Sequence, residues 1–583
     1  MRLPAALVLF TFTTSALADA PPVGTKIANL SFKDIRYVAR SLDDFREAKA
    51  VALVFVANGC PLAERYLPTL QKLHTDYTGK GVAVVAVNVG SDDSIPAMAA
   101  TALRAGCEFP VVRDFDLSCA RAVGASRTPE AVILDATRAI RYRGRIDDQY
   151  RHGPALPAPT RNDLRDALDA VLAGKPVASP EVPADGCPIT APTAPAPAKP
   201  PVFAKDVAPI LKTHCQECHR AGAVGPFALQ TYEQVAKRAG AIQAVVSDGR
   251  MPPWFADPDH STRFVNRRGL SEAERDTLFA WLRSTDRPRG DDRDLPAPLP
   301  PATEWRIGKP DQIVSTPTQD LPASGDIPYR YAILPTAFLH ETWVQGVEIK
   351  ADNGRALHHA NLAFAKLGEK FSVENFITGQ VPGGEAMALS DGVAVRIPAG
   401  SVLVLQMHFV TSGKPEQCKV SVGIRYARDT VQQRLRLSYL ATTRYAIPPG
   451  AAAHRVAVSK ELPCDAVGVG LFSHMHLRGK DMSFRAKTPD GKSEELLLIP
   501  NYSFSWQMPY RWEFGAKRFP KGTTLECVAH YDNSAFNPFN PDPKVTVRDG
   551  PQTHDEMMNG FVFYVDANEK LNLTIDPATG RAK

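Results

Sequence analysis

The sequence predicts a multidomain chain of mixed class: an α/β unit first, a small all-α unit next, and two all-β sandwiches after it. Three observations carry this. Residues 51–134 alternate continuous apolar runs with helical patterns, which is the signature of strands crossed over by helices. Two Pro-rich stretches, at 176–201 and 287–302, interrupt the chain as semi-extended linkers. Beyond residue 303 the pattern changes to short alternating runs with turn signals at close intervals, which suits β-sandwiches. At 583 residues the chain is too long for one core. The organisation drawn from this is a leader at 1–18, units at 19–175 and 202–286, and sandwiches at 303–435 and 436–583. A formal charge of +5 leaves no basic patch and excludes a nucleic-acid partner.

The leader reads as a signal peptide. Arg2 precedes an apolar run from Leu3 to Leu17, and Ala16-Leu17-Ala18 offers small residues for cleavage after Ala18. The expected location is periplasmic or secreted. The run is short for a span, and no later segment is apolar enough to cross a bilayer. Nine cysteines suit an oxidising compartment.

In the first unit, Val51–Ala57 reads as a buried strand. Asn58-Gly59-Cys60-Pro61 then turns into a helix through Leu70 and Leu73. Val82–Val89 and Ala131–Leu134 are the next strands. Cys60 sits at a helix N-terminus, where the helix dipole favours thiolate. With Arg127-Thr128-Pro129-Glu130 and Tyr142-Arg143-Gly144, these residues resemble the thioredoxin-like redoxins, whose matching proline is usually cis. Two departures stand out. Ala63 occupies the place of the second cysteine of a dithiol enzyme, and no Thr lies three residues before Cys60. Cys107, Cys119 and Cys187 remain open as a resolving partner. A structural disulfide, or a degenerate domain kept for assembly, is the competing reading of Cys60.

A short helix at 205–211 leads into Cys215-Gln216-Glu217-Cys218-His219. Cys-x-x-Cys-His is the attachment motif for haem c, with two thioether bonds and the adjacent His on the iron. Met251, held by Pro252 and Pro253, is the expected sixth ligand, with His260 as the alternative. Residues 203–283 resemble single-haem cytochrome c domains, including Gly225-Pro226-Phe227 and a closing amphipathic helix at 271–282.

The β-rich part carries the histidines that organise the chain. His474 and His476 lie two apart in an apparent strand, so both imidazoles leave one face. His358 and His359 are adjacent, so sharing one metal requires a bulge or loop there. Asp352-Asn353-Gly354 makes a turn plausible, and His408 is the third member. Three imidazoles suit copper or zinc, whereas a thioether such as Met557 selects copper. Taken singly, each of these is as readily an ordinary polar residue.

As a set they resemble the copper type II, ascorbate-dependent monooxygenases, the peptidylglycine and dopamine beta-monooxygenase family, over residues 305–565. The matching runs include His358-His359, Leu405-Gln406-Met407-His408, Ser473-His474-Met475-His476, residues 501–507 and Asp555-Glu556-Met557. The resemblance implies two coppers. One, on His358, His359 and His408, transfers electrons. The other, on His474, His476 and Met557, binds O2 and serves hydroxylation of a substrate C–H bond. Phe472 replaces the Arg that pairs with a peptide carboxylate in the peptidylglycine enzymes. Phe561 replaces a family Tyr. Met558 replaces a Cys, which leaves Cys527 without its family partner and Cys418 with Cys464 as the remaining pair.

The assembled expectation is an exported copper monooxygenase fed with electrons through its own covalent haem c, from an external donor, acting on an unidentified small molecule or peptide. Two rivals stand beside it. One is a non-catalytic copper-binding or redox-sensing haem protein. The other is a thiol-disulfide oxidoreductase using Cys60.

Overall fold

The computed structural model describes residues 20–151, 153–190, 199–300, 304–381, 384–428 and 430–583. The leader expected at 1–18 lies outside the described residues, as do 191–198 of the first linker and 301–302 of the second. The chain divides into two compact units, 1–193 and 194–583, where the sequence suggested four structured domains.

The first unit is an α/β thioredoxin-like domain. Its mixed sheet runs in the order Ala39–Ser41, Ser31–Asp34, Val111–Arg113, Val82–Asn88, Ala50–Val56, Glu130–Asp135, Ile140–Gly144, Glu181–Val182. All seven residues of Ala50–Val56 are buried, because this strand is covered on both faces. It runs parallel to Val82–Asn88 and antiparallel to Glu130–Asp135. The Pro61–Tyr77 helix follows it directly, with Pro61 in the first turn, where its missing N–H costs nothing. Leu62, Tyr66, Leu70 and Leu73 of that helix join the core. The Thr128–Pro129 bond is cis.

The linker drawn at 176–201 begins too early. Glu181–Val182 pairs with Arg143–Gly144, and Cys187–Pro188 pairs antiparallel with Arg127–Thr128. Residues 176–190 therefore belong to the first unit. Two-residue strands have no readable period, which is why sequence pattern missed them.

In the second unit, the helices Ala208–His214, Tyr232–Ala236, Ala239–Ser247 and Glu272–Arg283 surround Trp281, which is fully buried with Phe203, Leu211, Val235 and Leu278. Capping boxes at Thr231 and Ser271 fix two helix starts. This helical segment does not separate as a unit of its own. The Asp257 N–H donates to Leu498 O at 2.8 Å, Thr262 N–H to Leu496 O at 3.0 Å, and the Trp512 indole to the Thr262 hydroxyl at 2.8 Å.

Two pairs of β-sheets make up the rest. In the first, Arg330–Phe338, Ser401–Phe409, Leu357–Lys366 and Phe376–Gln380 face a sheet built on Thr342–Ala351 and Val420–Tyr426. Leu334, Leu362, Leu403 and Leu405 meet Val344, Val347, Val422 and Ile424 between them. In the second, Arg436–Ala441, Asn559–Asp566, Ala466–His474 and Pro509–Arg511 form one sheet. The other is His454–Glu461, Thr524–Tyr531, Gly479–Lys487 and Ser493–Ile499. One assignment changes. Residues 571–583, drawn with the second sandwich, return to the first. Leu573–Thr574 pairs with Thr430–Val431, Trp343 N–H donates to Gly580 O at 2.7 Å, and Ile575 packs with Trp343, Ala394 and Val431. Among the described residues, no helix is long and apolar enough to cross a membrane.

Candidate functional site

The histidines of the first sandwich converge. The Leu357–Lys366 strand shifts register between Leu357 and His359, which is the irregularity that adjacent ligands require. His359 then pairs across the sheet with His408. One ligand atom from each of His358, His359 and His408 lies within 4.8 Å of the others. His359 is 2% exposed, and its Nε2 and the Nδ1 of His408 are buried with no hydrogen-bond partner. Burial pushes His358 and His408 down to about 4 and His359 well below the ordinary histidine value. All three are therefore neutral at pH 7, with lone pairs available to a metal.

The second set differs from the sequence reading in one respect. The Ala466–His474 strand ends on His474, so His476 lies beyond it rather than on the same strand face. The two rings still come within 5.2 Å, because the connection is clamped. The Tyr502 hydroxyl donates to Met475 O at 2.7 Å and accepts from Met475 N–H at 2.9 Å. The buried Glu556 carboxylate accepts the N–H groups of His476, Arg478 and Met557 at 2.9, 2.6 and 3.3 Å. His474 Nδ1 lies 2.7 Å from Gln507 Oε1, and His476 Nδ1 lies 3.2 Å from Asp555 O. Each imidazole thus presents its Nε2, and that of His476 is buried without a partner. Burial lowers both groups, His476 to about 3.

Met557 is placed by Tyr531, whose hydroxyl donates to Met557 O at 2.9 Å. Its sulfur accepts from Asn559 Nδ2 at 3.5 Å, and Asn559 is the cross-strand partner of His474. Met557 also lines an open groove of about 860 Å³ with Tyr439, Arg444, Lys460 and Asp549. Phe472 and Phe563 line a separate apolar cavity of about 150 Å³ with Phe376, Leu389 and Leu435. The two histidine sets face each other. His359 and His474 have ring centroids 6.3 Å apart, and Phe504 packs on His358 at 5.1 Å and on His476 at 5.9 Å. Phe504, Gln507 and Tyr502 carried no assigned role in the sequence reading, since only the fold shows what they touch. The donor set fits copper: neutral imidazoles with unpartnered buried nitrogens, and a thioether beside one of the two sets.

The Cys215–His219 segment is a single turn, in which Cys218 and His219 N–H both donate to Cys215 O, at 3.2 and 2.9 Å. His219 Nδ1 lies 3.0 Å from Phe227 O, which leaves Nε2 for a haem iron. Gly225 is required there, because a Cβ would meet Cys218 O at 2.6 Å and His219 Nδ1 at 2.9 Å. Met251 is half-buried just past the Ala239–Ser247 helix, its N–H donating to Val245 O at 3.0 Å. His260 Nδ1 is engaged by Asp257 at 3.1 Å. The two thiols of this turn and the His219 Nε2 fit a covalently attached haem.

No disulfide joins any of the nine cysteines. The Cys418–Cys464 pairing is not formed. Cys418 is buried in the core of the first sandwich with its thiol 3.6 Å from Asn353 O. Cys464 lies half-buried, in the segment of the second sandwich just before Ala466–His474.

In the first unit, Cys60 is the N-cap of the Pro61–Tyr77 helix and is 3% exposed. Its thiol donates to Thr128 O at 3.0 Å. Burial raises this thiol, but hydrogen bonds from the Cys187 and Thr128 side chains and from Ala63 N–H outweigh it and hold Cys60 below the ordinary cysteine value. Cys187 is pushed up to about 11, first by its hydrogen bond to Cys60. A lowered acid is ionised at lower pH. Alkylation of Cys60 should therefore reach its plateau at lower pH than an ordinary thiol, and Cys187→Ala should move that profile upward, as a stopped pH series would read.

Residues 23–148 match the model of the AhpC/TSA family. The chain is 28% identical over 128 residues to the thiol-disulfide oxidoreductase ResA of Halalkalibacterium halodurans, covering 22% of this chain and 71% of that one. It is 30% identical over 116 residues to ResA of Geobacillus thermodenitrificans, covering 20% of this chain and 65% of the relative, so slightly under two thirds of that protein is spanned. A hypothetical protein of Sinorhizobium meliloti of known structure is 31% identical, covering 30% of this chain and 98% of its own, with a TM-score of 0.28. The family match stops at residue 148, so the copper and haem readings rest on residues and geometry alone.

Proposed function

We propose that this chain is an exported oxidoreductase in which copper held by His358, His359, His408, His474, His476 and Met557 serves monooxygenation of an organic substrate. The observation that carries the reading is the set of buried, neutral imidazoles whose nitrogens on His359, His408 and His476 have no partner in the protein. An unpaired buried nitrogen costs about 1–3 kcal/mol, and metal ligation removes that cost. Copper bound there supplies one-electron chemistry and O2 activation. The residues do the rest. Gln507 and the Asp555 carbonyl fix the ring orientations of His474 and His476, and Glu556 holds the His476 backbone. Phe504 packs on rings of both sets. The groove beside Met557, with Arg444, Lys460 and Asp549, is where a polar substrate would lie.

A haem c on Cys215 and Cys218, with His219 and Met251 on its iron, would supply single electrons. Its segment packs against the sheet that ends on His474: Trp254, three residues past Met251, meets Tyr510 at 5.1 Å, and Tyr510 pairs with Leu471. The test is metal content and oxygen uptake on protein exported with haem maturation. Two coppers and one iron per chain, with uptake dependent on copper, are expected; no copper after reconstitution would overturn the reading.

A second activity is favoured by a different observation. The redoxin domain carries, at the N-cap position of its first long helix, a thiol held below its ordinary value, which supports thiol-disulfide exchange at Cys60. Cys60→Ser should abolish turnover of a disulfide substrate while leaving copper binding intact.

A further inference from the structure

We propose that Cys60 and Cys187 form a reversible disulfide in which Cys187 is the sulfur that outside thiols and disulfides reach, and Cys60 is its buried partner. This deepens the thiol-exchange reading and rests on it.

The pair is built by one strand. Cys187 pairs with Thr128 in the short antiparallel ladder, and Thr128 O accepts the Cys60 thiol at 3.0 Å. Both cysteines are thereby fixed to the same residue, and Cys187 packs against the core cluster that contains Cys60. The approach is close enough to require glycine. Gly186 has φ +147°, and a Cβ on it would lie 2.1 Å from Thr128 O. Arg127 Nη1 donates to Gly186 O at 3.0 Å and Ile189 N–H to Ser126 O at 2.9 Å, which pins the strand on either side of Cys187. The other two candidates are placed elsewhere. Cys107 lines a small cavity with Leu67, Met98 and Ala102. Cys119 is fully buried, and burial near Asp114 and Asp116 pushes its thiol well up.

Access decides the order of events. Cys60 is 3% exposed beneath the strand, whereas Cys187 is partly exposed. With oxidised glutathione as the outside disulfide, the Cys187 thiol gives its proton to solvent, the thiolate attacks and forms a mixed disulfide, and one glutathione thiolate is released and takes up a proton. The Cys60 thiolate then attacks the Cys187 sulfur and expels the second. The protein loses two electrons and two protons, and glutathione disulfide becomes two thiols. In the reverse direction an outside thiolate attacks Cys187 and Cys60 leaves; its lowered pKa makes it the better leaving group.

The test uses the full chain, reduced and then treated with oxidised glutathione, trapped with an alkylating reagent and peptide-mapped. The wild type should give a Cys60–Cys187 bridge with no glutathione retained. Cys60→Ser should hold glutathione on Cys187, and Cys187→Ser should be modified at Cys60 at least about tenfold more slowly. Gly186→Ala should displace the strand and shift the adduct onto Cys60. A bridge from Cys60 to Cys107 or Cys119, or glutathione retained on Cys60 in the wild type, overturns the pairing and leaves thiol exchange standing. If Cys60 stays unreacted even in Gly186→Ala, the thiol-exchange reading falls as well.

Discussion

His359→Ala should remove one copper per chain and abolish oxygen uptake, with affinity at that site falling by more than about 100-fold. Even residues that only orient a ligand cost 10- to 100-fold, and His359 supplies a donor itself. It is the most buried of its set and is the cross-strand partner of His408. The substitution should also separate two effects on stability. Without metal, the histidine carries a buried nitrogen with no partner, so its loss relieves a cost of about 1–3 kcal/mol while opening a cavity. The metal-free variant should therefore unfold close to the metal-free wild type. With copper in thousandfold excess over its dissociation constant, a binding site stabilises the fold by about 4 kcal/mol. That increment at the first site should vanish in the variant. Denaturation followed with and without copper reads both. A variant that keeps two coppers would show that His359 is a packed polar residue and no ligand.

The second large effect is expected at Glu556. Its side chain is fully buried and both oxygens are used: one accepts from Arg478 N–H, the other from His476 N–H and Met557 N–H. Arg478 is 1% exposed and donates further to Asn533 at 3.0 Å and to His554 O at 2.8 Å. Glu556→Ala strips three buried amides of their acceptor, those of His476, Arg478 and Met557. A buried amide left without an acceptor costs about 1–3 kcal/mol. Glu556→Gln keeps the shape and one acceptor and should cost less. Denaturant unfolding should rank the wild type above Gln and Gln above Ala. Copper at His476 should weaken in the same order, since the hydrogen bond from the His476 N–H that places this histidine is weakened or lost with the carboxylate. Equal stability of all three would mean that the loop is held by other contacts.

Much of this was legible in residue order because the relevant features are local. The all-apolar run of Ala50–Val56 can only be a strand covered on both faces, and the Cys60-Pro61 step marks a helix start whatever surrounds it. His358 and His359 required an irregular strand if they share a metal, and the register shift supplies it. What escaped has a common cause, which is dependence on partners far away in the chain. Cys187 lies in a stretch that reads as linker, and only its pairing with residue 128 makes it part of a site. His476 looked like a strand residue because the carboxylate that ends the strand comes from position 556. Phe504 and Gln507 are ordinary side chains until the sheets bring them against histidines.

The return of residues 571–583 to the first sandwich bears on when the protein can become competent. Trp343 and Val431 find Ile575 only after the second sandwich has been synthesised between them. The cluster around Trp343, Ala394 and Val431 thus stays incomplete until the last residues of the chain are made. A mutation that slows docking of this last strand would delay completion of the first sandwich without touching the second.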